Sequence, residues 1–410
     1  MGILERFQNF KSQKRNLLIV SLLFYAFTVP LSKSISAIIM AFVAIVVVLG
    51  EMRGWKDVLL ALSKDRIFLV LGVFTALYYL GLLNTEDMRR GFKICKNISI
   101  VLGTYIVLAL TLRDAGEAER LLKALLGGIV VLILGAWGKF IGLYGGEAFK
   151  LPSSIVMNPI WFANVSAVGL YISVAFLSRP EGKGGYSPWG IAIVLSLTGL
   201  ILSTSRGGWV ATAIVSLVVL FPLSMKGKSS RIVLLLVLLG LFAYFWHPSN
   251  RHKVSVILSE AKAFFRQGVV DTSVGARLGM WTLCLGMWKD HPIFGAGTGD
   301  YIVEVRRRTE GKWEFLRRFN QPHSIYFHSL AMHGILGLLA LIMVFAAVLK
   351  ESVKEIKEGG ARGRLGIVAL AVTMHYMLAG LSETVLKIHV LVTIFGMVLG
   401  CAFGHRVGEK

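Results

Sequence analysis

Residues 323–349 read HSIYFHSLAMHGILGLLALIMVFAAVL, an unbroken run without a Lys, Arg, Asp or Glu. About 20 such residues, wound as an α-helix, cross the hydrocarbon core of a bilayer, so this run predicts a transmembrane helix. The same criterion applied outward along the chain predicts twelve spans. They lie near 16–32, 35–50, 67–83, 98–112, 121–143, 155–177, 189–203, 208–224, 231–246, 323–349, 365–381 and 386–404. Composition agrees: 55% of the 410 residues are hydrophobic and only 16% are charged, against about 25% charged in soluble proteins. A soluble enzyme, a disordered tail and a disulfide scaffold are excluded. Even so, 44 Lys and Arg face 23 Asp and Glu, a net charge of +21. These basic residues lie scattered between apolar runs rather than clustered, which argues against nucleic acid as a partner. Cys95, Cys284 and Cys401 share no short spacing and suggest neither a zinc site nor a disulfide framework.

Lys and Arg counts set the orientation. With the N-terminus in the cytoplasm, 23 basic residues fall on cytoplasmic tails and loops and eight on short outer loops. Lys139 sits inside a span, and the remaining twelve lie in one long segment, 247–322, to which the rule does not apply. Both termini are therefore expected in the cytoplasm. The basic stretch Arg6, Lys11, Lys14 and Arg15 precedes an apolar run, Asn16 to Leu31, that lacks a small-residue cleavage site and reads as a retained signal anchor. The expected organisation is an N-terminal block of about nine spans (1–246), a large outer loop (247–322) and a C-terminal block of about three spans (323–410). The fold class is an all-α polytopic membrane protein.

Within the loop, His252 to Gln267 places Val254, Ile257, Leu258, Ala261, Phe264 and Phe265 on one helical face. Gly275 to Lys289 places Leu278, Trp281, Leu285 and Trp288 at helical spacing. Both read as amphipathic helices lying on the membrane surface or packed on the bundle.

Three stretches on the outer side carry candidate chemistry. STSRGGW at 203–209 is a polar break centred on Arg206, with Gly207 and Gly208 permitting a tight turn and close approach to a ligand. Taken alone, Arg206 also reads as an arginine snorkelling to headgroups. GARLGMW at 275–281 holds Arg277, and PIFGAGTGDY at 292–301 reads as a flexible hairpin or an anion-binding loop. NQPHSIYFHSLAMHGILGLL at 320–339 begins with His323, while His328 and His333 follow at a spacing that does not align on one helix face, against a metal cluster. Lys139 reads as a snorkelling lysine, and Arg89 and Arg90 as an extension of positive surface or a headgroup contact. Glu383 is placed in a turn, paired with an arginine or facing solvent. His375 reads as a packed, hydrogen-bonded histidine, and Asp300 and Tyr301 as residues that shape the glycine run.

In order and spacing, SRGGW, GARLGMW with FGAGTGDY, and PHSIYFHSLAMHGILGLL resemble the O-antigen ligase and polymerase superfamily of polytopic glycosyltransferases. The resemblance covers about 200–350 closely; one departure is Ser324, where the family often has asparagine. It implies a GT-C-like membrane fold at the bacterial inner membrane, with the active site facing the periplasm. It further implies transfer of a glycan from undecaprenyl diphosphate to a sugar hydroxyl, with inversion and without metal or cofactor. On this resemblance Arg206 and Arg277 bind the leaving diphosphate and His323 is the base. The favoured member is a ligase whose acceptor is the lipid A–core oligosaccharide. A polymerase commonly shows two substantial outer loops, whereas only one is seen here. A protein O-oligosaccharyltransferase fits the same motifs. A twelve-span transporter would show related halves and a midplane site, and neither is visible.

Overall fold

The computed structural model describes residues 3–49, 60–143, 157–178, 188–203, 205–224 and 248–409. Every regular element among them is helical. The first eight helices are α1 (Ile3–Thr28), α2 (Lys33–Leu49), α3 (Arg66–Leu80), α4 (Met88–Thr111), α5 (Ala115–Phe140), α6 (Pro159–Ser178), α7 (Pro188–Ser203) and α8 (Arg206–Val215). They are followed by α9 (Pro248–Gln267), α10 (Ser273–Asp290), α11 (Tyr301–Arg308), α12 (Ile325–Glu358), α13 (Gly360–Ala379) and α14 (His389–Leu399). A 3-10 turn extends α3 to Asn84, and π-helical turns extend α8 to Leu220 and α14 to Gly404.

Eleven of the twelve expected spans fall on helices; the ninth, 231–246, lies outside the described residues. Among the described residues six helices, with their extensions, are long and apolar enough to cross a membrane: α3, α4, α5, α6, α12 and α14. Four more, in α1, α2, α7 and α8, are apolar but shorter. Helix α13 belongs to neither group, and its surroundings explain why. It is packed by α5, α6, α8, α12 and α14, so its neighbours are protein and it carries buried Arg364, Thr373 and His375. A lipid-facing helix excludes such groups. Helix α6 is buried on all sides too, at every residue from Phe162 to Phe176.

The ionisable groups inside the bundle include several close pairs. The two ring nitrogens of His375 meet the Tyr171 hydroxyl at 2.8 Å and Asn164 Oδ1 at 2.9 Å, the hydrogen-bonded state expected of it. Arg364 donates to Glu119 at 3.0 Å, Arg15 pairs with Glu117, and Arg406 with Glu351 and Glu355. These pairs join the N-terminal end of α5 to α1 and to the N-terminal end of α13, and the C-terminal end of α12 to the residues after α14, at the bundle end remote from His323. Lys139 lies in the last turn of α5, where a cation suits the helix dipole.

The longest helix, α12, is broken. Gly334 takes φ 62° and ψ −159° in its midst, interrupting the ladder. A break in apolar surroundings strands backbone groups, each costing free energy unless another partner is supplied. The segment 292–297 supplies them. Ala296 N donates to Ala331 O at 2.9 Å and Gly297 N to Met332 O at 3.1 Å. In return Ile335 N donates to Pro292 O at 2.9 Å and Leu336 N to Ile293 O at 3.4 Å. A Cβ on Gly334 would overlap the Ile293 carbonyl, and one on Gly295 the backbone of Met332 and His333. Both glycines also have positive φ, which side chains resist.

A Gly334→Ala variant should therefore lose about 2 kcal/mol or more of stability through overpacking and strain. Gly72→Ala, where a Cβ would meet nothing within 4 Å, should leave stability unchanged or raise it slightly. Thermal unfolding of both in the same detergent reads the difference.

Candidate functional site

The outer loop builds a small second core on the start of α12. Met280, Leu283 and Met287 of α10 pack with Tyr301, Leu316 and Met332. The buried face of α10 is thus the one through Ala276, Met280, Leu283 and Met287, not the expected stripe of Leu278, Trp281, Leu285 and Trp288. A spacing of three and four fits more than one face of a short helix, and the methionines and small residues of α10 match the groove better than indoles do. Trp281 is used differently: its Nε1 donates to Pro322 O at 3.0 Å and its ring stacks on Phe327 at 5.0 Å. Helix α9 buries Phe264 against Trp313 but leaves Ile257, Leu258 and Phe265 exposed.

The GAGTGD run is neither a flexible hairpin nor an anion loop. The amides of Ala296, Gly297, Thr298 and Asp300 all donate to protein carbonyls, so none remains for an anion. Thr298 Oγ1 donates to Tyr78 O at 2.7 Å and lies 3.1 Å from His333 Nε2. Asp300 is buried and accepts from the amides of Glu86 (2.8 Å) and Asp87 (2.8 Å). The glycines let this segment press against α3, α4 and the break in α12, and Asp300 clamps it to the α3–α4 turn. His328 is buried 6.2 Å from the Tyr301 ring, and His333 lies over the Tyr78 ring, so the two histidines do not join His323.

His323 sits at the junction of loop and bundle. Its backbone is left-handed at φ 50°, a conformation in which histidine is enriched among non-glycine residues. The next residue, Ser324, caps α12 by accepting from Phe327 N. This accounts for the serine, since serine and asparagine are near-equal N-cap residues. Ile325 N donates to Gly380 O at 2.9 Å, tying this corner to the α13–α14 turn. That turn delivers Glu383. Its carboxylate lies 3.2 Å from His323 Nδ1 and accepts from Gln321 Nε2 at 2.7 Å. Glu383 is buried whereas the His323 side chain is 22% exposed, so the carboxylate is shielded and the imidazole reaches the surface. Glu383 therefore neither faces solvent nor holds an arginine; its partner is the histidine. From sequence it was one acid in a short turn, and a separation of 60 positions hid the pairing.

The segments that carry Arg206 and Arg277 reach this corner from two sides. Arg206 is the first residue of α8 and is exposed. Gly207 follows at the α13–α14 turn, where an added Cβ would lie 3.0 Å from Ser382 Oγ, next to Glu383. Gly208 lets α8 close on Ala163 of α6. Both glycines are helical, so they serve close packing rather than the expected tight turn. Arg277 lies one helical turn before Trp281, on the face that reaches Pro322. Its guanidinium donates to Ser273 Oγ at 3.2 Å, while its Nε is buried without a hydrogen-bond partner among the described residues. A buried, unpaired guanidinium N–H is costly, and an anionic acceptor would relieve it.

Residues 191–342 match the family described as O-antigen ligase. In this stretch the chain is similar to the O-antigen ligase and polymerase superfamily. It holds Arg206, Arg277 and His323, whereas Glu383 lies beyond it. The chain is also similar to an uncharacterized protein of Haemophilus influenzae, 25% identical over 199 residues. That match covers 47% of this chain and 50% of the relative, so the chain spans about half the length of the curated relative it matches. The matched stretch and the apolar helices among the described residues support a multi-pass membrane protein.

Lys387, in the same turn as Glu383, donates to Asn320 O at 2.8 Å. Burial pushes its ammonium pKa down to about 8, and Arg90 and Lys93 add to the shift while Glu383 opposes it. Its free-amine fraction should rise as pH passes 8, whereas ordinary lysines stay over about 99% protonated there. Amine-directed acylation followed by peptide mass spectrometry should show Lys387 modified at pH 8 well ahead of Lys64, and spared at pH 6.

Proposed function

We propose that the protein is an inverting, metal-independent glycosyltransferase that moves O-antigen glycan from undecaprenyl diphosphate to the lipid A–core oligosaccharide at the periplasmic face. The observation that carries this reading is the buried, unpartnered Nε of Arg277, set one helical turn from the indole that docks beside the His323–Glu383 pair. A donor for an anion and a base for a hydroxyl thus converge on one corner.

The chemistry follows from these roles. His323 takes the proton of the acceptor hydroxyl as its oxygen forms a bond to the anomeric carbon. The bond from that carbon to the diphosphate oxygen breaks, and its electron pair leaves with the undecaprenyl diphosphate. Attack opposite the leaving group inverts the anomeric configuration. Arg206 and Arg277 hold the diphosphate as charge builds on it, supplying the positive charge that a divalent ion supplies elsewhere. Glu383 is a positioning residue: accepting from Nδ1 fixes the imidazole and leaves Nε2 to act, the logic by which a carboxylate orients a histidine base. The active corner faces the periplasm and both termini face the cytoplasm in this reading.

Purified protein supplied with carrier-linked glycan and lipid A–core, in the presence of a chelator, tests it. Arg206→Ala and Arg277→Ala should each lower transfer by about 10²–10³-fold, and His323→Asn by about 10²–10⁴-fold. Glu383→Gln should lower kcat by about tenfold or more with KM unchanged. Full transfer by all the arginine and histidine variants would overturn the mechanism. Chain lengthening when only carrier-linked glycan is offered would make the protein a polymerase instead.

A further inference from the structure

Beside the His323 corner lies a cavity of about 800 Å³ that the transfer chemistry above does not use. Neither Arg206 nor Arg277 lines it. Its polar wall is cationic: Lys33 at the start of α2, Arg90, Lys93 and Lys96 on α4, and Lys387 before α14. No Asp or Glu is among its lining residues. Arg90 is partnered by Asp87 at 3.3 Å, while Lys33, Lys93 and Lys96 are exposed with no ion pair among the described residues. Arg90, Lys93 and Lys96 repeat every three residues along one face of α4, where like charges repel one another. Such an array is stabilised by an anion lying across it.

The remaining wall is apolar, through Ile94, Ile100, Met157, Trp161, Ile388 and Val390. A small inorganic anion would leave that wall empty, since a cavity of this volume suits a ligand of many atoms. An amphiphile with a phosphate at its head fits both walls, and basic pockets between membrane helices hold such headgroups. We propose that this cavity binds the phosphate-bearing headgroup of a membrane lipid, with Lys93, Lys96 and Lys387 on the phosphate and Met157 and Trp161 against the start of the lipid chain. The site is separate from the arginine pair and does not depend on the glycosyl-transfer reading. Its place does acquire meaning from that reading: Gln321 lines the cavity and also donates to Glu383, so a lipid seated there presents its headgroup beside His323.

The test uses the full chain in neutral detergent micelles, with a fluorescent phosphatidate as probe and the matching phosphatidylcholine as control. Phosphatidate should bind and phosphatidylcholine should not. The double variant K93E/K96E, altered only at exposed positions, should weaken binding by about tenfold or more. R206A/R277A should bind as the parent does, and so should Arg89→Glu, whose side chain is exposed next to the cavity but does not line it. Bound phosphatidate should also slow acylation of Lys387. Unchanged binding by K93E/K96E would overturn the proposal, as would equal loss in Arg89→Glu, which marks a diffuse surface effect. Loss confined to R206A/R277A would place the anion on the arginines instead. Displacement by inorganic phosphate at concentrations comparable to the lipid would make this a site for a soluble anion, and equal binding of phosphatidylcholine would make it an apolar groove.

Discussion

A helix broken in apolar surroundings must have its freed backbone groups satisfied, and the rest of the site hangs on how this chain meets that demand at Gly334. The segment 292–297 lends its amides and carbonyls to the two sides of the break. Once it is held there, Asp300 reaches the amides of the α3–α4 turn, and α10 is drawn down on α12. Trp281 thereby arrives at Pro322 with Arg277 one helical turn before it, and His323 acquires a loop on one side and the α13–α14 turn on the other. A site on a loop is ordinarily less rigid than one on helices; here the loop is pinned by the bundle's own hydrogen-bonding deficit.

Two kinds of polar environment result, and they are kept apart. At the end of the bundle remote from His323, buried cations are matched by carboxylates: Arg364 by Glu119, Arg15 by Glu117, Arg406 by Glu351 and Glu355. At the His323 end, the buried carboxylate Glu383 serves a histidine and an amide, and the cations around the cavity are left largely without acids. The first arrangement is what stability asks of buried charge. The second leaves its positive charge to solvent or to a bound anion.

The helical architecture was legible because it rests on short-range patterning: runs such as 323–349 announce helices wherever they occur. Helix α13 was legible as a helix and His375 as a packed histidine, but the helix's central position was not, since Glu119, Tyr171 and Asn164, the partners of Arg364 and His375, come from other helices. Arg206, Arg277 and His323 were picked out through motif order, and the structure brings their three segments to one corner. Glu383 escaped, as did the clustering of Lys33, Arg90, Lys93, Lys96 and Lys387. The first depends on a contact 60 positions apart and the second on contacts across hundreds, and no periodicity encodes either. The glycine run misled for the opposite reason: its composition suits an open anion loop, and only the tally of its amides shows them all engaged.

The left-handed backbone at His323 bears on which residues this position can hold at all. Before any proton moves, the turn into α12 admits glycine, asparagine, aspartate and histidine far more readily than other side chains, whose penalty is about 1 kcal/mol or more. Of that short set, only histidine exchanges a proton near neutral pH while donating from its second nitrogen to a carboxylate. In the proposed mechanism, backbone geometry and acid–base chemistry filter the same position independently, and their intersection is a single amino acid.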